Sequence, residues 1–135
     1  MANILFSKHR QRLQSAGFNW STASIKLAFV SAAYVPNADT NEFLSDLPSG
    51  SILARSGVLT GKSVTDGYAA GLTPQFLLYR NDTPVTGIIL FEDTGVDATS
   101  KLICYSSDGP ALPFTGVGFN YSVSYNAAYG GFYRA

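Results

Sequence analysis

The chain has one histidine, His9, and one cysteine, Cys104. A Ser-His-Asp triad or a Cys-His pair would have to use His9 as its base. His9 stands between Lys8 and Arg10 in a stretch that reads as a helix, where a surface position is expected for it. Zinc sites take several His or Cys ligands, and the chain offers one of each. Cys104, between Ile103 and Tyr105, is expected as a small core residue. One cysteine allows no intrachain disulfide.

Carboxylates are the remaining catalytic candidates. Glu92 and Asp93 are adjacent, so on a strand they point to opposite faces. Asp93 and Asp97 flank a Thr-Gly turn and could bind calcium together with loop carbonyls, although their spacing is not that of an EF-hand. The simpler reading is a hairpin loop in which the Asp side chains cap turn amides. Nothing selects an acid and nucleophile pair of the glycosidase kind. Walker A and dinucleotide glycine patterns are absent from the sequence. Gly116, Gly118, Gly130 and Gly131 read as points of close strand packing or turns. No catalytic, cofactor or metal residue is assigned.

Binding candidates are of two kinds. Lys8, Arg10 and Arg12 form a basic cluster, either a solvated helix face or a segment that docks on an acidic partner. Tyr121, Tyr125, Tyr129, Phe132 and Tyr133 gather aromatic side chains near the C-terminus. Phe119, Tyr121 and Tyr125 are expected in the core. Tyr129, Phe132 and Tyr133 follow a glycine-rich stretch and are the better candidates for contact with a partner.

These residues must be carried by a chain of 135 residues, a length that suits one domain. The hydrophobic fraction is 46% and the charged fraction 13%, about half the usual share of charge. Such a chain can build a core. Nine basic and nine acidic residues cancel. Neutrality argues against electrostatic capture of nucleic acid or of an anionic membrane. It also removes charge repulsion between copies, which favours association. Residues 1–17 lack the long apolar stretch of a signal peptide, and no run approaches the roughly 20 residues of a membrane span. Synthesis in bacterial cytoplasm is expected.

The element pattern is that of a β protein. A helix or arm is expected over 1–17, with Asn3 to Ala16 helical and Gly17 as its C-cap. Ile25 to Val30 reads as a buried strand. Asp39 and Glu42 match a capping box, predicting a short helix over Thr40 to Leu47. Strands are expected over Ser51 to Leu59, Ser63 to Ala69, Phe76 to Tyr79, Val85 to Phe91 and Lys101 to Tyr105. Turns are expected at Thr60-Gly61-Lys62, Asn81 to Pro84 and Asp108-Gly109-Pro110, with a polar loop over Glu92 to Thr99. In Val117 to Asn126 every odd position is apolar or aromatic and every even one is Gly, Ser or Asn, which predicts a strand with one greasy face and one wet face. The expected architecture is all-β: an antiparallel sandwich or small barrel with two short helices.

Four segments carry a family resemblance. They are Phe18-Asn19-Trp20 leading into Ser24 to Val30, then Asn41 to Pro48, then Leu59 to Gly67, and finally Phe91 to Ile103. In this order they resemble a family of small structural proteins of tailed bacteriophages, over Trp20 to about Arg134. The resemblance implies a non-enzymatic virion protein without a cofactor. It points to a capsid cement (decoration) protein that bridges major capsid protein subunits, often as a trimer, on the capsid surface. A neck or tail component is the first alternative. A glycan-binding host-attachment module using the C-terminal tyrosines is the second. An enzyme using Asp93 or Asp97 is the last.

Overall fold

Ile25–Val30 is apolar at almost every position, and the strand it forms, β2, is buried on both faces. The computed structural model of the protein describes residues 3–65, 68–72, 75–107, 112–123 and 133–134. In it β2 lies inside a five-stranded sheet with β1 (Asn3–Leu5), β3 (Ile52–Arg55), β7 (Gly87–Glu92) and β8 (Lys101–Ser106), in the order β1-β8-β7-β2-β3. Every pairing in it is antiparallel. A strand with a neighbour on each side and a covering on each face has no wet side, so its sequence does not alternate.

The two faces of β2 divide its side chains. Ile25, Leu27 and Phe29 join Leu90 and Ile103 in a first core, and Ala28 and Val30 join Ile89, Phe91 and Leu102 in a second. The first face is covered by two smaller sheets. One has three strands, β4 (Thr60–Thr65), β5 (Tyr68–Leu72) and β10 (Tyr133–Arg134); the other is the ribbon of β6 (Phe76–Val85) and β9 (Phe114–Tyr121). Phe29 is stacked on Phe76 of the ribbon, with ring centroids 3.7 Å apart, and meets Tyr79 and Phe114 edge-on. Full burial of such a ring contributes about 1.5–3 kcal/mol. Trp20 ties the other small sheet down, its indole N–H donating to the carbonyl of Ala70 at 2.9 Å. The second face is covered by Phe6, Tyr34, Leu44 and Leu47.

The mostly-β expectation holds, with antiparallel sheets, and none of them closes into a barrel among the described residues. The hairpin of β7 and β8 around the 92–99 loop is also as expected. The N-terminal segment differs. Asn3–Leu5 is a strand on the edge of the main sheet, and helix α1 runs only from Ser7 to Gln14. The reason is Leu5 and Phe6: Leu5 packs on the first core and Phe6 in the second, an alternation that a strand provides and a helix does not. Ala16, not Gly17, takes the left-handed conformation after α1, with φ +59°. The N–H of Gly17 then closes on the carbonyl of Arg12 at 2.7 Å, the six-to-one bond of a Schellman motif.

The helix predicted over Thr40 to Leu47 is reduced to a 3₁₀ turn, Leu44–Asp46. Its cap is Asp46, whose carboxylate accepts from the N–H groups of Glu42 at 2.8 Å and Phe43 at 2.9 Å. Main-chain ties to residues 100–102, at the start of β8, explain the change. The carbonyl of Glu42 accepts from Leu102, and the N–H of Leu44 donates to Ser100, which keeps 42–43 extended. Asp39 and Glu42 therefore cap nothing: they hold Ser7 and Arg12.

Two expected turns lie inside strands. Thr60-Gly61-Lys62 opens β4, with Gly61 at φ +58° and a register shift before Ser63. Asn81 to Pro84 lies within β6, where the pairing steps from Asn81 opposite Gly116 to Val85 opposite Phe114. The Asn81 side chain accepts from the N–H of Thr83 at 2.8 Å, so the turn chemistry builds a bulge. The expected turn at Asp108-Gly109-Pro110 lies outside the described residues.

Candidate interaction surface

Asp93 and Asp97 of the 92–99 loop are held by basic partners. Asp97 receives both arms of the Arg55 guanidinium, at 2.6 and 2.8 Å. That contact holds its carboxyl below the usual range and raises Arg55. Asp93 pairs with Lys26 at 3.2 Å and caps the N–H of Gly95 at 3.2 Å. The loop is therefore the capped hairpin of the simpler reading, with Asp93 and Asp97 both paired. No group of three or more His, Cys, Asp or Glu side chains among the described residues is placed to hold a metal ion.

His9 corrects a second expectation. It is fully buried, its ring meeting Phe18 edge-on at 4.6 Å. Burial first, and then the Arg12 guanidinium, lowers it to about 4, so the ring is neutral near pH 7. Cys104 packs on the first core as expected, and burial pushes its thiol up to about 12. A thiol so rarely ionised is a poor nucleophile. Tyr34 is buried too, its hydroxyl donating to Asn41 at 2.9 Å, and burial raises it.

The basic cluster does not present a common face. Arg10 is exposed and Lys8 half-buried, whereas Arg12 is bound to Glu42 at 3.1 Å with little of its side chain in water. Tyr125, Tyr129 and Phe132 lie outside the described residues. Tyr133 is in β10, where its backbone pairs with that of Ala69.

What the sequence reading missed is on the ribbon. In β9 the expected greasy face is turned outward: Val117 is 54% and Phe119 69% exposed, while Gly116 is buried. Leu77 and Leu78 of β6 add exposures of 71% and 74% beside them. Two bulges produce this. Leu78 is left-handed, φ +49°, and its N–H is held by the side chain of Asn120 at 2.9 Å. One extra residue in β6 between Phe76 and Tyr79 then sets both leucines outward. In β9, Gly118 at φ +97° reverses the alternation, so that Phe114 faces in before it and Tyr121 after it. The rings of Phe114 and Tyr121 stack at 4.9 Å.

Phe114–Tyr121 itself has no acidic or basic residue, and the charge beside it is Arg80 of β6, opposite Val117. Exposed apolar side chains are ordinary when scattered; these four lie on one two-stranded ribbon. The available signal was the pair of glycines at 116 and 118: a side without side chains can face inward when a ring from the next strand fills it.

Neither a family model nor a curated protein matches the chain. No helix among the described residues is long and apolar enough to cross a membrane.

Proposed function

We propose that the chain is a non-enzymatic structural protein of a tailed-phage virion, acting as a capsid cement protein on the capsid surface. Its partner is the major capsid protein, and the ribbon of β6 and β9 is the face that meets it. The observation that carries this reading is the outward set of Leu77 and Leu78 on β6 and of Val117 and Phe119 on β9. Apolar and aromatic side chains of this kind anchor protein interfaces when they fill pockets in a partner.

The internal use of the reactive groups supports the same reading. Asp93 and Asp97 are paired with Lys26 and Arg55, His9 is neutral inside the fold, and the Cys104 thiol is protonated. The neutral chain adds no long-range repulsion to a crowded shell. Bridging capsid subunits as a homo-oligomer, the trimer being the form that the resemblance implies, would add avidity to a modest single contact.

Co-sedimentation with capsids stripped of the protein tests the reading. The wild-type chain is expected to bind and Phe119→Asp to lose binding. Equal binding by a folded Phe119→Asp variant would remove the ribbon from the interface.

A further inference from the structure

The outer side of the β6–β9 ribbon holds two charges as well as its apolar side chains. Arg80 and Asp82 of β6 are exposed, with Asn81 half-buried between them. Alternation along the strand therefore sets both charges on the outer side. The Arg80 guanidinium reaches across to β9, where its Nη1 stands 3.9 Å from the place a Cβ on Gly118 would take. Gly118 is the residue between the exposed Val117 and Phe119. Among the described residues no salt bridge or side-chain hydrogen bond engages Arg80 or Asp82. Arg12, Lys26 and Arg55, by contrast, are each paired with a carboxylate.

These two charges restrict what can cover the ribbon. An apolar surface seated on Leu77, Leu78, Val117 and Phe119 would also take the Arg80 guanidinium out of water, which is costly unless an anion meets it. Asp82 makes the opposite demand. The occupant must bring apolar side chains together with a carboxylate and a cation in fixed places. A second copy of the same ribbon, turned end for end, brings all of these. A two-fold axis at the level of Asn81 sets Arg80 of each copy against Asp82 of the other.

We propose that the free chain is a two-fold homodimer through this ribbon, with β6 antiparallel to β6 of the second copy, the exposed apolar side chains packed together and two Arg80–Asp82 pairs fixing the register. Such an interface is isologous, the same patch serving on both sides, and it closes on itself. The apolar side chains supply the affinity, and the charges exclude wrong arrangements. The zero formal net charge sets no long-range repulsion between the copies. The dimer does not rest on the capsid reading. Where both hold they compete, because the face that the dimer covers is the one assigned to the major capsid protein, and the pair opens before the chain docks.

Sedimentation velocity over a concentration series tests this with charge reversals. Wild type is expected to pass from monomer to dimer as concentration rises. Arg80→Asp sets carboxylate against carboxylate across the axis, and Asp82→Arg sets guanidinium against guanidinium. Each variant alone should therefore dimerise at least about 10-fold more weakly. An equimolar mixture of the two should dimerise as wild type does, since one variant then supplies only carboxylates and the other only guanidiniums. The two reversals combined in one chain should restore the homodimer. Both positions are exposed, and thermal unfolding checks that the variants fold. Wild type that stays monomeric throughout the series, or a mixture that dimerises no more tightly than either variant alone, would overturn the proposal. Co-sedimentation with capsids is read separately. A monomeric wild type that still loses capsid binding through Phe119→Asp gives the ribbon to the capsid protein and overturns the dimer. Dimerisation that obeys the charge reversals, with capsid binding untouched by Phe119→Asp, upholds the dimer and removes the ribbon from the capsid contact.

Discussion

The ring of Tyr79 occupies the space that a side chain at Gly116 would fill. A Cβ built on Gly116 would collide with the Tyr79 ring and come within 3.0 Å of its carbonyl oxygen. The same ring meets Phe29, Phe114 and Tyr121 edge-on, at 5.2, 6.4 and 5.9 Å, and these neighbours restrict its movement. Gly116 thus lets the Tyr79 ring of β6 lie directly over the backbone of β9.

Gly116→Ala should therefore destabilise the fold by about 1–3 kcal/mol, the cost of overpacking a filled site. Chemical denaturation measures it. Combining it with Tyr79→Leu should recover part of the loss, because the smaller side chain vacates the collision. Additive losses would mean that the two residues do not compete for one space.

Phe119→Asp should leave folding stability within about 0.5 kcal/mol of wild type, since an exposed side chain contributes little to the core. Thermal unfolding checks this. A large loss would assign Phe119 to packing and remove the main support for the ribbon as an interface.

The Cys104 thiol should be nearly inert. With its titration moved from 9.0 to about 12, the thiolate fraction at pH 8 falls about 1000-fold relative to an ordinary cysteine. A disulfide reagent should react slowly at pH 8 and at the full rate once denaturant is added. Rapid reaction in the native state would contradict the packing described.

The Arg55–Asp97 pair should matter little to stability despite its bidentate geometry. Both side chains are over 40% exposed, at 41% and 44%, so solvent screens the pair. A double-mutant cycle should give a coupling below about 1 kcal/mol that shrinks with added salt.

How far the sequence was legible depended on whether local chemistry met competition. The run Ile25–Val30 announced a doubly covered strand because no wet face was needed. The 92–99 hairpin was legible because its polar residues satisfy one another locally, Thr94 with Thr99 and Asp93 with Gly95. The capping box at Asp39 failed because distant partners outbid local ones: Ser7 and Arg12 took the two carboxylates, and β8 took the backbone. The turn signal at Asn81 was read correctly as chemistry and wrongly as an end, because a bulge and a turn use the same side chain. The alternation in Val117 to Tyr121 marked a strand but not which way its side chains face: Val117 and Phe119 are exposed, whereas Tyr121 packs on the first core. The ring of Tyr79, thirty-seven residues before Gly116, lies over that glycine, and the alternation reverses at Gly118. His9 was misplaced because a basic neighbourhood reads as solvent, although one position of a helix turn can still face inward.

The central claim is a structural role in the virion shell. Quantitative mass spectrometry of purified virions, comparing copies of this chain with copies of the major capsid protein, tests it most directly. The account predicts a fixed ratio that is a large fraction of the capsid protein's own copy number. A count sufficient only for a neck or tail ring, or absence from the virion, would contradict it.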